Sequence, residues 1–407
     1  MGGVTPMKMT PWVARAEKVL MNNVRRLPLV FARGAGAQLY DADGREYLDF
    51  LSGIAVQAVG HSHPAVVETI QNQAAKIIHV SNYFYLEEQI MLAEKLTALS
   101  GLERVFFANS GAEANEAAIK LARKYGKTRM GGKYEIITAE NSFHGRTMGA
   151  LAATGQPKYQ EAFQPLPAGF RYARFNDLAS WEAAVTPQTC GVLLELVQGE
   201  GGVHPVDPAF FQGIVELCRR HGLLLMIDEV QTGLGRTGKY FAWEHFGVKP
   251  QILTLAKALG GGVPIGALLA QEDVAAAFTP GDHSSTVGGG GIAFATALAI
   301  LQIMEEEKLP ERANRLGAEL KARFQSWRQE LPVIKEVRGW GLLLALELRT
   351  PAQPVMRSCL EQGLIINAVT PTALRLVPPL NISKADLERG LAILKQVLTA
   401  MAERVSL

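Results

Sequence analysis

The chain has 407 residues, 48% of them hydrophobic and 20% charged; this balance excludes disorder as its main state and allows two or three domains or one large fold. Lys and Arg (41) nearly match Asp and Glu (39), for a net charge of +2, so no bulk attraction draws it to nucleic acid or an anionic membrane, and neither is expected as a partner. Three cysteines (Cys190, Cys218, Cys359) without a CxxC spacing exclude a disulfide framework, and the scattered histidines lack ligand spacing, so no metal is expected.

Residues 1–15 contain no apolar core of the signal-peptide kind, and the longest apolar runs, such as Leu223 to Ile227, fall far short of the roughly 20 residues that span a bilayer. A cytoplasmic protein is expected. A hairpin is predicted from 38–40 and 46–50, joined by an Asp43-Gly44 turn. Seven short apolar runs follow, at 105–107, 135–138, 171–174, 192–197, 223–227, 252–255 and 265–269. Several are apolar at consecutive positions, the pattern of strands covered on both faces. Helical spacing lies between them, as at 208–221, where His221-Gly222 is a plausible stop. The alternation predicts an α/β fold with an open, mostly parallel sheet of seven strands flanked by helices. A long helical stretch at 294–331, broken near Leu309-Pro310, leads to short strands at 342–348, 364–367 and 374–377 and a closing helix after Ser383. The chain ends are expected to form a smaller α+β domain, giving a division into 1–62, 63–295 and 296–407.

Three places carry chemistry. Asn109-Ser110-Gly111-Ala112-Glu113 follows a strand and opens a helix. Its uncovered N–H groups could hold an anion, and equally Ser110 and Glu113 could form a plain capping box. Asp228 ends a buried strand, where open α/β sheets bind ligands; a structural ion pair or cap is as good a reading of it alone. Lys257 lies between the apolar run 252–256 and Gly260-Gly261-Gly262. It is either a desolvated amine of lowered pKa or a lysine reaching out from a strand end. A phosphate cradle, a carboxylate and an amine on one sheet together match the needs of pyridoxal 5'-phosphate (PLP), which takes up a lysine amine, pairs its ring nitrogen with an acid and needs an anion site.

With these residues in hand, the chain resembles the subgroup-III, fold-type-I PLP-dependent aminotransferases, and within them the bacterial acetylornithine aminotransferases. The resemblance runs nearly end to end. It is carried by Gly60-His61 with His63-Pro64, by 109–116, by Phe143-His144-Gly145-Arg146-Thr147, by Gln198-Gly199-Glu200-Gly201-Gly202 and most specifically by Asp228 to Gly262. Ser285-Thr286, Arg338-Gly339 and Arg375 with Pro378-Pro379 complete it.

The resemblance implies that Lys257 forms the Schiff base with PLP and shuttles the proton, and that Asp228 pairs with the pyridinium nitrogen. It implies that Gly111 and Ala112 bind the phosphate, that Phe143 and Val230 cover the two ring faces, and that Gln231 lies near the ring hydroxyl. Thr286 from a second subunit would complete the phosphate site, so a homodimer with shared sites is implied. Arg146 would clamp a substrate carboxylate, Ser285 would touch the donor, and Glu200 would mask or release Arg375 according to substrate. His61, His63 and His144 are assigned to loop packing. Two places depart from the family pattern: Val287 to Ile292 replaces an aromatic, two glycines and Asn-Pro, and Leu196 stands where proline is usual.

The implied reaction moves the δ-amino group of N2-acetylornithine to 2-oxoglutarate, in arginine biosynthesis. Ornithine, 4-aminobutyrate, succinylornithine and a carrier-bound lysine are alternative donors. A nicotinamide-dependent oxidoreductase is the reading from another class, and the absence of a GxGxxG after a first strand speaks against it. Intact Lys257 and Asp228 speak against a cofactor-free scaffold.

Overall fold

The computed structural model describes residues 11–405. The ends of the two terminal segments expected from sequence, 1–10 and 406–407, lie outside the described residues, as does most of the stretch read for a signal peptide. The seven apolar runs form one sheet. Its strands are β1 (Arg104–Ala108), β2 (Glu135–Ala139), β3 (Phe170–Ala173), β4 (Thr189–Leu194), β5 (Leu224–Asp228), β6 (Ile252–Leu255) and β7 (Gly266–Ala270), in the order β1-β7-β6-β5-β4-β2-β3. The run from β6 to β3 is parallel. β7 is antiparallel to both β6 and β1, which turns β1 to point the same way as β5 and β6.

Every residue of β4 to β7 is buried. Their side chains alternate between two cores. Ile136, Leu193, Met226, Ile252 and Leu268 pack on one face with Ala117, Ala118 and Ala122. Ile137, Val192, Ile227, Leu253 and Leu269 join the larger core on the other, with Phe211 and Ile214. This two-sided burial is why the runs lack polar alternation.

Helices close both faces. Gly111–Arg129 lays a row of alanines on the sheet, and small side chains let its axis come close. Pro208–His221 starts at Asp207, whose side chain caps Phe210 N–H, and stops at Gly222 with φ 61°, the stop expected from sequence.

The predicted hairpin is present, Gln38–Asp41 pairing with Glu46–Asp49. Leu364–Ile365 adds to it in parallel, so residues from both ends of the chain share one sheet. The run expected as one strand at 364–367 is split, because Asn367–Ala368 joins a different sheet made of Ile334–Trp340, Leu343–Leu348 and Ala373–Leu376. Ile334–Trp340 was not expected; its exposed Lys335 and Glu336 hide its apolar pattern. The long helical stretch breaks as predicted, into Gly290–Glu306 and Leu309–Glu330, with Pro310 in the first turn of the second. Among the described residues no helix is long and apolar enough to cross a membrane.

Candidate active site

The carboxyl ends of β1, β2, β4, β5 and β6 and the start of β7 converge on one cavity of about 410 Å³. Open α/β sheets bind ligands at this edge, where backbone leaves the hydrogen-bond ladder. Lys257 and Asp228 both line it, as do Gly111, Ala112, Phe143, Val230 and Gln231.

Asp228 is the last residue of β5 and is 3% exposed. Its Oδ1 accepts the Val230 N–H at 2.9 Å. Its Oδ2 accepts from Asn115 Nδ2 at 2.7 Å and lies 2.8 Å from His144 Nδ1. The expectation of His144 as loop packing is therefore corrected. Its ring is buried against Asp228, and its Nε2 is buried with no partner among the described residues. Chain order hid this, because Asp228 lies 84 residues away. Asn115 sits one turn into the helix that starts at Gly111. It also donates to the His144 carbonyl and accepts the Thr254 hydroxyl, both contacts buried.

Lys257 follows β6 and opens a short 3₁₀ turn with φ 41°. Only a narrow left-handed region near this value is open to a side chain, and strain of this kind clusters at functional sites. Burial is the main cause that pushes its amine below the usual lysine pKa; Glu200 pulls it back up and Arg375 adds to the fall. The residue forms no ion pair among the described residues.

The helix start is capped as the sequence suggested. Ser110 Oγ accepts the Glu113 N–H at 3.2 Å. The return bond differs from a capping box: Glu113 reaches Asn109 N–H, at 2.8 Å, and not that of Ser110. Gly111 and Ala112 keep first-turn N–H groups at the cavity wall. A Cβ at Gly111 would come within 2.7 Å of Val230 Cγ1, so only glycine fits between these walls.

Arg375 is fully buried. Its Nη1 donates to Glu200 Oε1 at 2.5 Å, to Gln231 Oε1 at 3.1 Å and to Gly199 O at 3.2 Å; Nη2 is buried and has no partner among the described residues. Burial alone would raise the Glu200 pKa, but Arg375 and then Lys257 hold it below the usual carboxylate value. Gln231 donates to Glu200 as well, at 3.3 Å, which makes it part of this arginine's cage.

Glu195 was read only as part of a strand. It follows β4, lines the cavity, and accepts Phe143 N–H at 2.9 Å and Gly199 N–H at 3.2 Å. Its carboxyl is pushed up to about 7 by burial, with His144 lowering and Asp228 raising it. A glutamate inside an apolar run was its sole signal in the sequence.

Arg146 reaches the same cavity. Ser285 and Thr286 do not line it. Ser285 accepts from Asn109 Nδ2 at 3.0 Å, and its carbonyl accepts from Asn82; Thr286 is exposed. At the departing positions of Val287 to Ile292, Gly290 has φ 73° and a Cβ on Gly291 would lie 2.8 Å from Ile77 O; the glycine before them is packed as well. Gly289 has φ 86°, and a Cβ there would lie 2.2 Å from the Phe294 ring. Among the described residues no group of three His, Cys, Asp or Glu could hold a metal ion.

The aminotransferase class-III family profile matches residues 19–398. The chain belongs to the class-III aminotransferases. The acetylornithine aminotransferase of Gloeobacter violaceus is 49% identical over 393 residues, covering 96% of this chain and 98% of that one. Among solved structures, the acetylornithine aminotransferase of Elizabethkingia anophelis superposes with a TM-score of 0.87 at 36% identity, covering 96% of this chain and 98% of the other. The ornithine aminotransferase of Toxoplasma gondii, crystallized in the presence of oxidized glutathione, gives 0.93 at 32%, covering 97% and 94%. This aminotransferase thus shares its fold with enzymes acting on acetylated and on free ornithine.

Proposed function

We propose that this class-III aminotransferase moves the δ-amino group of N2-acetylornithine to 2-oxoglutarate, producing N-acetylglutamate 5-semialdehyde and glutamate, with PLP as cofactor. The observation that carries the transaminase reading is that Lys257, Asp228 and the first-turn N–H groups at Gly111 and Ala112 open on one cavity. The identity of the relatives supports the acetylated donor, and the Toxoplasma gondii enzyme, described with partial PLP occupancy at its active site, supports the cofactor.

The residues present fit PLP. The helix start at Gly111 and Ala112 opens on the cavity, where first-turn N–H groups suit an anion, and a buried carboxylate stands at the strand end beyond it. Bound there, PLP would supply an aldehyde that captures an amine and a ring that takes up electrons from the substrate carbon. Gly111 and Ala112 would hold its phosphate, Phe143 and Val230 its ring faces, and Gln231 would lie by its hydroxyl. Asp228 would pair with its ring nitrogen, the carboxylate being held in place by hydrogen bonds from Asn115 and the Val230 N–H. Lys257 is the residue that would hold the cofactor covalently. Its lowered pKa leaves more neutral amine to lift and return a proton at the substrate's reacting carbon.

Arg146 would bind the donor's α-carboxylate through its guanidinium fork. Arg375, caged by Glu200, would be hidden from the donor and freed when glutamate or 2-oxoglutarate brings its own α-carboxylate. We infer a homodimer in which Thr286 of one copy completes the phosphate site of the other, and Ser285 contacts the donor there. Support comes from Thr286 being exposed and from the three exposed aromatics Tyr83, Phe84 and Tyr85, at 93%, 67% and 87%, next to the Asn82 that holds its loop. The setting we infer is cytoplasmic, in keeping with three free cysteines.

A donor panel tests the substrate. Acetylornithine is expected to show the highest kcat/KM against ornithine, succinylornithine and 4-aminobutyrate. A clear lead for 4-aminobutyrate or free ornithine would reject the assignment.

A further inference from the structure

We propose that Tyr159 is a positioning residue that sets this enzyme's preference for carboxylate-bearing substrates, by holding the Arg146 guanidinium on the face of its ring. The proposal rests on Arg146 being the substrate clamp.

Arg146 projects from the loop between β2 and the helix Met148–Ala153, and the residue is itself exposed. A free arginine there would sample many rotamers and would lose that freedom on each binding event. It is not free. Its guanidinium carbon lies 4.0 Å from the Tyr159 ring centroid and 5.4 Å from that of Phe143. The two rings stand at 85° to one another, centroids 6.2 Å apart, so they form a corner with Arg146 in it. No carboxylate pairs with Arg146 among the described residues.

Tyr159 is well placed to act as a fixed wall. It lies in the single turn Pro157–Gln160, which is tied down on both sides. Gln156 Nε2 donates to Ser142 O at 3.0 Å, on the residue before Phe143. Gln160 Nε2 donates to Thr154 O at 2.7 Å and Leu151 O at 3.1 Å.

The two site arginines are thus held by opposite chemistry. Arg375 is held by a carboxylate, which neutralises it until the carboxylate moves. Arg146 is held by aromatic faces, which attract a cation through the ring quadrupole and leave its charge and N–H groups available. In the proposed reaction every substrate presents a carboxylate to Arg146, in both half-reactions. An acidic holder would compete with each of them; an aromatic one does not.

The test uses the PLP-loaded enzyme and four proteins: wild type, Tyr159→Leu, Tyr159→Phe and Arg146→Leu. The readouts are the dissociation constant of glutarate, a non-reacting dicarboxylate, and KM and kcat for N-acetylornithine and for N-acetyl-1,4-diaminobutane, which lacks the carboxylate. Tyr159→Leu is expected to raise the glutarate Kd and the acetylornithine KM by about two- to fivefold. Its kcat, and its kinetics with the carboxylate-free donor, should hold. Tyr159→Phe should restore both binding values, since the ring face remains. A glutarate Kd unchanged in Tyr159→Leu, while Arg146→Leu weakens it, overturns the role of Tyr159 alone. Equal weakening of both donors would show a merely structural role and overturn it too. A glutarate Kd unchanged in Arg146→Leu removes the clamp itself and the proposal with it. Thermal melting checks folding, and Tyr159→Met takes the place of Tyr159→Leu if the latter does not fold.

Discussion

Arg375 and Glu200 meet at 2.5 Å with the arginine wholly out of water and the glutamate side chain one-quarter exposed. The pair is therefore asymmetric: Glu200 has a way out toward the cavity, and Arg375 has none. That geometry suits an arginine whose availability is decided by its partner's motion. Glu200→Ala is expected to favour glutamate over acetylornithine by about tenfold or more in relative kcat/KM, since the cage is gone and a substrate carboxylate can replace it. Comparing the two half-reactions in single turnovers checks this; an unchanged ratio rejects the switch. The same variant should melt earlier without substrate, because Arg375 keeps a buried charge without an acid.

Lys257 makes stability depend on pH. Its folded pKa lies below the ordinary 10.5, chiefly through burial. Between the folded and unfolded values the unfolded chain binds the extra proton, so this lysine's penalty on folding eases as pH rises through that window. At pH below the folded value the penalty is complete. Lys257→Met, without PLP, is therefore expected to exceed the wild type in melting temperature most at the low end of the pH range and to lose that advantage as pH approaches 10.5. Melting curves across pH decide it. Turnover should be abolished in the same variant, with the fold retained.

Asn115 holds Asp228 from one side while His144 holds the other. Asn115→Ala removes a donor to the carboxylate and leaves the Thr254 hydroxyl without its acceptor. A cost of about 1 to 3 kcal/mol in stability is expected. Cofactor affinity, followed by absorbance on adding PLP, should fall as well. Full affinity would mean that Asp228 is held well enough by His144 and the Val230 N–H.

Gly289 tests how tightly the glycine run 288–291 is packed. Gly289→Ala puts a methyl group into the Phe294 ring at a φ of 86°, where L side chains are rarely found. A loss of more than about 2 kcal/mol is expected by urea unfolding. A neutral result would show that the run tolerates other residues and owes nothing to packing.

Much of the frame was legible in the chain. The strands β4 to β7 announce themselves because both faces are buried and their residues are apolar throughout. Lys257, Asp228 and the Ser110 cap were found because each lies just past such a run, where sequence neighbours remain spatial neighbours. Ile334–Trp340 escaped because its charged residues Lys335, Glu336 and Arg338 interrupt the apolar pattern. His144, Asn115, Glu195 and Tyr159 escaped for another reason: their residue types are ordinary, and their partners lie far along the chain or across a turn.

Sequence alone determined which segments become the strands of the seven-stranded sheet, which end of them carries chemistry, and which amine and acid are available, because local periodicity and the residue types are written in order along the chain. Only the tertiary structure decided that His144 and Asn115 grip Asp228 and that Tyr159 holds Arg146. Those pairings depend on strand order and on loops meeting at one edge of the sheet, and packing in three dimensions sets them without leaving a spacing to read.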